Sequence, residues 1–365
     1  MESLISSSLR HTKPWRKAGL IDKRKIEKGI VNMLKVNMGL KGGEKLLVVT
    51  DSPTIEEWKT KNSEKLTDAV RRSVLAKMVS EIAAQKFPES SVEFFAYPSV
   101  GKHGTYPGIE VEEKMKAANV VVAITTYSLT HTDAREHATQ AGARVASMPM
   151  FLLEMFYPGG PMAADYNKIA DETRKIADLI TQANEANIKS RAGTDFTFSL
   201  KGRKGMSDAG IFTQKGAWGN LPSGEAYCAP LEGTANGKVV VQKGWYPDLK
   251  ENMVIIFKNG KAVGIDGGGE VGNRFRELLA FGKEEDPYLL RRNHAELGVG
   301  TNPNAKRPDN VLEAEKIRGT VHVAIGDNSH MGGAVKTDIH EDFIIPLATL
   351  TLDNKVAMRN GRLVI

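Results

Sequence analysis

The sequence predicts two domains: an α/β N-terminal domain, built as a parallel sheet with helices on both faces, and a mainly antiparallel β C-terminal domain. Up to about residue 190, strand-like and helix-like segments alternate, which is typical of a covered parallel sheet. Beyond that point long helical patterns nearly vanish and turn signals multiply. The 365 residues also exceed the size at which single cores usually stop growing, roughly 250–300 residues. We therefore place the domains at 1–190 and 191–365.

The elements of the first domain follow from hydrophobic periodicity. Runs rich in β-branched and aromatic residues predict strands, and longer apolar patterns of helical spacing predict helices. Thr132 and Asp133 offer an N-cap to one of these helices, and Gly142 offers it a C-terminal stop. The predicted strands are 45–51, 91–98, 119–126 and 144–149, and the predicted helices are 22–38, 63–87, 109–118, 131–142 and 162–187.

In the second domain, three Asn-Gly pairs mark tight hairpins, because Asn and Gly accept the positive φ angles of such turns. They are Asn236-Gly237, Asn259-Gly260 and Asn360-Gly361, each between strand-like flanks. One helix is predicted around 270–282.

A glycine pattern before that helix is similar to a dinucleotide fingerprint. Gly267, Gly269 and Gly272 match G-x-G-x-x-G, but that motif must open a parallel strand–helix–strand unit. Here the preceding strand closes a hairpin and no parallel strand is predicted after the helix. The sequence therefore predicts no nucleotide cofactor.

Composition excludes several classes of protein. The apolar share of 41% and charged share of 26% are ordinary for a globular protein. The net charge is +6, but apart from a cluster at 13–25 the basic residues are scattered, so we expect no nucleic-acid partner. A single cysteine, Cys228, allows no intramolecular disulfide and fits a reducing compartment. No apolar run has the length of a signal peptide or a membrane span, which predicts a cytoplasmic protein without a membrane partner.

Four segments of the second half carry residues of metal-ligand type. Glu225 follows a Pro-Ser-Gly turn in "GNLPSGEAYCAP", and Glu296 stands ahead of a glycine-broken loop in "NHAELGVGTNPNA". His322 lies in "GTVHVAIGDNSHMGG", a strand pattern with small residues on the same face. In "KTDIHEDFIIP", His340 and Asp342 are two apart and therefore share one face of a strand.

Taken together, these five side chains predict a metal site. A buried lone carboxylate or imidazole is costly, whereas several that converge on a divalent cation are stable. Nitrogen and oxygen ligands without cysteine suit Zn, Co, Mn or Fe, and their number fits one ion or two ions that share a bridging carboxylate. Taken singly, His322 also fits an ordinary core histidine, Glu225 an exposed residue of a hairpin, and His340 with Asp342 a hydrogen-bonded pair.

The four segments resemble the thermophilic-type metalloaminopeptidases, which include aminopeptidases T and S. The resemblance implies a β-rich metal-binding catalytic domain at 191–365 in which Glu225, Glu296, His322, His340 and Asp342 hold one or two divalent ions. It further implies that a metal-activated water cleaves the N-terminal amide bond of a peptide or small molecule, with Glu296 as metal bridge or proton shuttle. It also implies a homodimer or higher homo-oligomer.

One difference from that family lies after the His322 strand. A catalytic tyrosine is expected there, but this chain has "DNSHMGG", so the acid and hydrogen-bonding roles would pass to His330 and Asn328. The pattern G-x-N-x-x-x-G-G…K-T-x-x-H-x-D also resembles 2,5-dihydroxypyridine 5,6-dioxygenase. That resemblance implies a mononuclear Fe(II) ring-cleaving enzyme, whose iron ligand at the position of Glu296 is a histidine. The five hydrolase-type ligands favour an aminopeptidase, with the dioxygenase as the alternative and a metal-stabilised, non-catalytic scaffold as a third possibility.

Overall fold

The computed structural model describes residues 22–364, and the parallel sheet expected in the first half is present. The order of its strands is β2-β1-β3-β4, and every pair is parallel. The central strands are almost entirely buried, as their unbroken apolar runs require. A short strand from the second half of the chain extends the sheet beside β4. The strands are β1 (Lys45–Ser52), β2 (Ser91–Pro98), β3 (Val120–Thr125), β4 (Arg144–Pro149) and β8 (Trp218–Asn220).

Helices cover both faces of this sheet. Leu75 and Val79 of α3 pack on one face with Val48 of β1, whereas Val111 of α4 and Ala134 of α5 pack on the other face. Thr132 caps α5 as expected, since its hydroxyl accepts a hydrogen bond from the Arg135 amide at 3.3 Å. The helices are α1 (Lys23–Asn32, continued by a π-helical turn at Met33–Asn37), α2 (Ile55–Thr60), α3 (Ser63–Lys86), α4 (Ile109–Lys116), α5 (Asp133–Gln140) and α6 (Tyr166–Gln182), with short 3-10 turns at Leu153–Phe156 and Pro161–Ala163.

The helix predicted at 162–187 is too long at both ends. It begins at Tyr166 and ends at Gln182, and Glu185–Lys189 forms strand β5 instead. This strand pairs on both sides, with β6 (Asp195–Ser199) and with β16 (Thr349–Leu352). Pairing with distant strands thus overrides the local helical pattern.

The second half contains two sheets whose strands all pair antiparallel, so the predicted fold class is confirmed. An eight-stranded sheet has the order β12-β11-β10-β6-β5-β16-β17-β18, and a five-stranded sheet has the order β15-β14-β13-β9-β7. They share one apolar core that includes Phe196, Phe257, Val323 and Phe343. The remaining elements are β7 (Met206–Asp208), β9 (Glu225–Cys228), β10 (Asn236–Val241), β11 (Met253–Lys258), β12 (Lys261–Gly267), α7 (Gly269–Leu279), α8 (Tyr288–Arg291), β13 (His294–Gly300), α9 (Val311–Ala314), β14 (Thr320–Gly326), a 3-10 turn at Ser329–Met331, β15 (His340–Pro346), β17 (Lys355–Arg359) and β18 (Arg362–Leu363).

Two of the three Asn-Gly hairpins are confirmed. Asn259-Gly260 joins β11 to β12, and Asn360-Gly361 joins β17 to β18, with positive φ at all four residues. The third prediction is wrong, because Asn236-Gly237 opens strand β10 and lies within a ladder. A Cβ on Gly237 would stand 2.2 Å from the carbonyl oxygen of Asp195, so this glycine permits close approach of two backbones rather than a turn.

The glycine-rich segment before α7 follows the second strand of a hairpin, as the sequence predicts. Strand β12 pairs antiparallel with β11, and the next strand, β13, belongs to the other sheet. Among residues 22–364, no helix is both long and apolar enough to cross a membrane. Positions 13–21 of the basic cluster at 13–25 lie outside the described residues. The division at residue 190, the cytoplasmic location and the homo-oligomeric state stay predictions.

Candidate metal centre

Strand pairing in the five-stranded sheet brings the five predicted ligands to one face. Glu225 of β9 is paired with Gly300 of β13, and His322 of β14 with Gly298. Because side chains two apart on a strand share a face, Glu296 of β13 points the same way as these residues. Across the next pair of strands, Ala324 is opposite Asp342 and Gly326 is opposite His340. The cluster thus comprises Glu225, Glu296, His322, His340 and Asp342.

The glycines after Glu296 do not form the expected loop. They belong to strand β13, where Gly298 lies under the imidazole of His322 and Gly300 lies against the backbone of Ile317. A Cβ built on Gly298 would stand 1.9 Å from Nε2 of His322. This glycine therefore makes room for the cluster.

Replacing Gly298 by alanine should destabilise the protein by about 1–3 kcal/mol or more, because the added methyl must displace a buried imidazole. The matched control is Gly264→Ala in β12, where the new Cβ meets only a side-chain methyl carbon at 3.8 Å. Urea unfolding of both variants measures the difference. Equal stability of the two variants would contradict this account of Gly298.

Glu296 joins the two histidines of the cluster. Its Oε2 is 3.0 Å from Nε2 of His340, and its Oε1 is 3.4 Å from Nε2 of His322. His340 Nε2 is also 3.5 Å from Oδ1 of Asp342. The Nδ1 of His340 lies 2.7 Å from the carbonyl oxygen of Asp327 and must donate to it, so in the neutral ring the lone pair that can bind an electrophile is on Nε2.

Several buried polar atoms of this cluster lack a hydrogen-bond partner among residues 22–364. They are Oε2 of Glu225, Oδ1 of Asp342 and Nδ1 of His322. Native interiors rarely leave such atoms unsatisfied, and a cation would satisfy the carboxylate oxygens. Glu296, His340 and Asp342 each offer a donor atom within 4.8 Å of the others. The donor types and the unsatisfied oxygens therefore fit a metal ion.

In the metal-free protein, both histidines of the cluster have raised pKa values. Burial alone would lower the pKa of His322, but the carboxylates of Glu296 and Glu225 outweigh it and raise that pKa from 6.5 to about 9. The pKa of His340 is also raised: Asp342 and Glu296 outweigh the opposing effect of its burial. A metal ion must therefore displace protons to bind.

The metal-free protein should consequently lose stability as pH rises. A raised histidine pKa contributes stability that is complete below the unfolded value of 6.5 and disappears as pH passes through about 9. Chelator-treated protein should show a falling free energy of unfolding across this window. Metal-loaded protein should not, because the ion takes the place of the protons. Urea titrations at several pH values measure both forms, and parallel curves would contradict the expectation.

A lysine that the sequence did not single out lies beside the cluster. The side chain of Lys316 is only 2% exposed, and its ammonium contacts the Glu225 carboxylate. The same Nζ is 2.8 Å from Oε1 of Glu315 and 3.7 Å from Oδ2 of Asp208. Burial raises the pKa of Glu225, and Lys316 opposes that rise. The Glu225 end of the cluster therefore already has a cation.

Four of the five cluster residues, all except His322, line the floor of an open cavity of about 710 Å³. The walls include Tyr227 of β9, which shares a face with Glu225 at a spacing of two, and His131 and Trp218 from the parallel-sheet region. The ring centroids of His131 and Trp218 are 6.1 Å apart, and the Arg135 guanidinium lies 3.8 Å over the Trp218 ring. These walls suit a small, flat, polar molecule.

The two residues expected to replace the missing tyrosine lie in different surroundings. His330 lines the cavity with its ring 5.4 Å from that of His340, and its Nδ1 is 3.1 Å from the Asp327 carboxylate. Asn328 is fully buried, and its amide donates to Glu232 at 2.9 Å and accepts from the Val335 amide at 2.9 Å. Asn328 therefore holds its loop together and does not face the cavity.

An α/β sheet region beside a β-rich region, with a buried histidine–carboxylate cluster under an open cavity, defines a class of enzymes built around a metal ion. A sequence model of one such family, NicX: 2,5-dihydroxypyridine 5,6-dioxygenase, matches residues 36–365. The chain belongs to this family.

Individual proteins agree with the family match. A curated 2,5-dihydroxypyridine 5,6-dioxygenase from Pseudomonas putida is 25% identical over 274 residues, which are 70% of this chain and 74% of that protein. The solved structure of 2,5-dihydroxypyridine dioxygenase from Pseudomonas putida KT2440 has a TM-score of 0.70 at 20% identity, covering 94% of this chain and 98% of that one. The solved structure of AmpT from Thermus thermophilus has a TM-score of 0.59 at 16% identity, and the alignment covers 94% of this chain and 100% of that one. The two structural likenesses show a shared fold.

These findings correct the expected activity. The family match and the curated relative point to a dioxygenase, so the assignment as an aminopeptidase or other amide hydrolase is wrong. The resemblance to aminopeptidase T holds for the fold. The ligand types alone misled the prediction, because the same histidines and carboxylates suit hydrolytic and oxidative metal centres.

Proposed function

We propose that this protein is a metal-dependent dioxygenase that opens the ring of a small hydroxylated nitrogen heterocycle of the 2,5-dihydroxypyridine type. The observation that carries the proposal is the set Glu296, His340 and Asp342 on the cavity floor, whose donor atoms all lie within 4.8 Å of one another. The family and its curated relative support the same chemistry.

We propose Fe(II) as the ion and these three residues as its ligands. Three protein donors with further positions open to a cavity are the arrangement of non-haem Fe(II) oxygenases, although here one imidazole and two carboxylates replace the usual two imidazoles and one carboxylate. When bound, such an ion would supply the Lewis acidity and one-electron chemistry that reaction with dioxygen requires. Asp327 would keep His340 in the tautomer that offers Nε2.

Lys316 favours one ion over two. A second ion would use Glu225, Glu296 and His322, whose donor atoms also lie within 4.8 Å of one another. It would then lie beside the Lys316 ammonium, which contacts Glu225. Repulsion between a dication and an ammonium at such short range in a buried site amounts to several kcal/mol. The internal cation thus makes the Glu225 end the weaker metal site.

The cavity walls would hold and orient the ring. Trp218 and Tyr227 offer aromatic surface, and the Tyr227 hydroxyl offers a hydrogen-bond donor. The surrounding walls, together with His330 and Arg135, lower the pKa of His131 to about 4, although its ring stays accessible from the cavity. His131 is therefore neutral near pH 7 and able to accept a hydrogen bond from a ring hydroxyl. His330, oriented by Asp327, is a second group within the cavity that can hold a proton.

Oxygen consumption by the reconstituted protein tests this function. Metal-free protein would be loaded with Fe(II), Mn(II) or Zn(II) under anaerobic conditions, its metal content measured, and then mixed with 2,5-dihydroxypyridine in an oxygen electrode. Of the three loaded forms, we expect only the Fe(II) protein to consume oxygen, at one equivalent per 2,5-dihydroxypyridine. It should turn over 2-hydroxypyridine, 3-hydroxypyridine and hydroquinone more slowly than 2,5-dihydroxypyridine. Iron-loaded protein that consumes no oxygen with any of these compounds would refute the proposal.

A further inference from the structure

A second cavity, of about 310 Å³, lies in the parallel-sheet region, and no residue lines both it and the metal cavity. Pro53 borders it just beyond β1, and Thr126 and Tyr127 border it just beyond β3. Lys65 and Arg72 border it from the first half of α3. The cavity therefore lies at the carboxyl edge of the sheet.

This position is the topological switch point of the sheet. β1 and β3 are neighbours, but the chain leaves them in opposite directions: α3 follows β1 on one face and leads to β2, and α5 follows β3 on the other face and leads to β4. The two connections separate and leave a crevice between them. In open α/β sheets, ligands bind in this crevice outside the carboxyl ends of the strands.

Arg72 gives the crevice a buried positive charge. The residue is 6% exposed, and its Nε donates to the Thr126 hydroxyl at 3.3 Å. Within residues 22–364, no carboxylate oxygen lies within 4.0 Å of its guanidinium, and its side chain forms no other hydrogen bond. A buried charge is costly unless it is paired, so this guanidinium has capacity for a negatively charged partner.

The neighbouring carboxylates are engaged elsewhere. Asp51 is buried, and its two oxygens accept hydrogen bonds from the Thr126 and Tyr127 amides at 2.6 and 3.0 Å. Glu57 pairs with Lys61 at 2.6 Å, and Asp68, which also lines the crevice, pairs with Arg71 at 3.8 Å. Of the charged groups that line the crevice, Arg72 and Lys65 form no ion pair with any residue of the described chain.

We propose that this crevice binds a small molecule through an oxyanion group, a carboxylate or a phosphate, held by the Arg72 guanidinium. Arginine presents its donors as a planar fork that matches two oxygens of either group, and a charge-assisted bond of this kind strengthens in a desolvated site. Lys65 adds a second positive charge at the rim, and the Thr126 hydroxyl, which accepts from Arg72, adds a neutral donor. The proposal concerns a site separate from the metal centre and does not depend on the reaction catalysed there.

Calorimetric titration of the full chain tests the site, with inorganic phosphate and succinate as probes and succinamide as the neutral comparison. We expect phosphate or succinate to bind and succinamide not to bind, and the stronger anion identifies the group that the crevice prefers. Arg72→Gln should weaken that binding at least about tenfold, a loss of about 1.4 kcal/mol. The control is Arg71→Gln, which should leave the affinity unchanged, because Arg71 is the preceding residue of the same helix and its side chain is 65% exposed.

Arg72 is buried, so Arg72→Lys serves as a second variant that keeps the charge and loses the forked donor. It should fold, by circular dichroism, and bind the anion more weakly than the natural protein. Absence of anion binding to the natural protein would overturn the proposal. Equal losses of anion affinity in Arg71→Gln and Arg72→Gln would overturn it as well. If Arg72→Gln does not fold, anion affinity in Arg72→Lys equal to that of the natural protein would overturn it.

Discussion

Replacing His340 by alanine is expected to remove the metal ion and to lower turnover by roughly three orders of magnitude or more. His340 supplies the imidazole of the proposed three-residue site, with Nε2 at 3.0 Å from Glu296 and 3.5 Å from Asp342. Without it, two carboxylates remain, which hold a transition-metal ion much less tightly. The hydrogen bond from Nδ1 to the Asp327 carbonyl, which orients the ring, is lost at the same time.

Metal analysis after gel filtration and oxygen uptake with 2,5-dihydroxypyridine measure the two effects separately. The matched control is His137→Ala on α5, since that imidazole is 49% exposed and pairs only with Glu112 in the described chain. The control should keep its ion and its turnover. A His340→Ala protein that retains one tightly bound ion would show that the ligands are other members of the cluster.

The five residues of the cluster could be found from the sequence because each is a metal-ligand type in a strand-like or glycine-rich segment. His340 and Asp342 share a face by their spacing alone, and the small residues on the same face of the His322 strand indicated room for an imidazole. The same rule also applied to Tyr227, two residues after Glu225, and would have placed it in the cavity.

The same alternation fails at His294, two residues before Glu296. A bulge in β13 lies between these residues and turns His294 toward the aromatic core, where its ring is 4.8 Å from Phe196 and 4.5 Å from Phe198. Burial there lowers the pKa of His294 to about 3. The sequence does not reveal the bulge, so period-two reasoning alone would place this histidine with the ligands.

Features built from distant parts of the chain could not be predicted. The cavity walls join His131 and Trp218 of the parallel-sheet region to the β-rich region, and nothing local indicates that contact. The reaction was misassigned for a related reason: the ligand types are common to both chemistries, whereas the missing tyrosine near His330 was the local sign of a different reaction.

Replacing Lys316 by methionine is expected to destabilise the metal-free protein by about 3–5 kcal/mol. Its ammonium lies among the carboxylates of Asp208, Glu225 and Glu315. Asp208 is 108 residues away in the sequence and Glu225 is 91 residues away, whereas Glu315 is the preceding residue. Removing the cation leaves Asp208 and Glu315 without an ion-pair partner among residues 22–364 and leaves Glu225 with His322 alone, at 3.4 Å. Such a loss costs more than the pairs themselves contribute. Urea unfolding in the presence of chelator measures the loss.

Two further measurements separate the charge of Lys316 from its packing. Adding Glu225→Gln to Lys316→Met should recover part of the lost stability, because one uncompensated carboxylate is then neutral. Excess Mn(II) should stabilise Lys316→Met more than it stabilises the natural protein, since a dication can then occupy the Glu225 end without repulsion from the ammonium. If Mn(II) stabilises both proteins equally, Lys316 does not compete with a second ion, and its role is confined to holding Glu225, Glu315 and Asp208 in place.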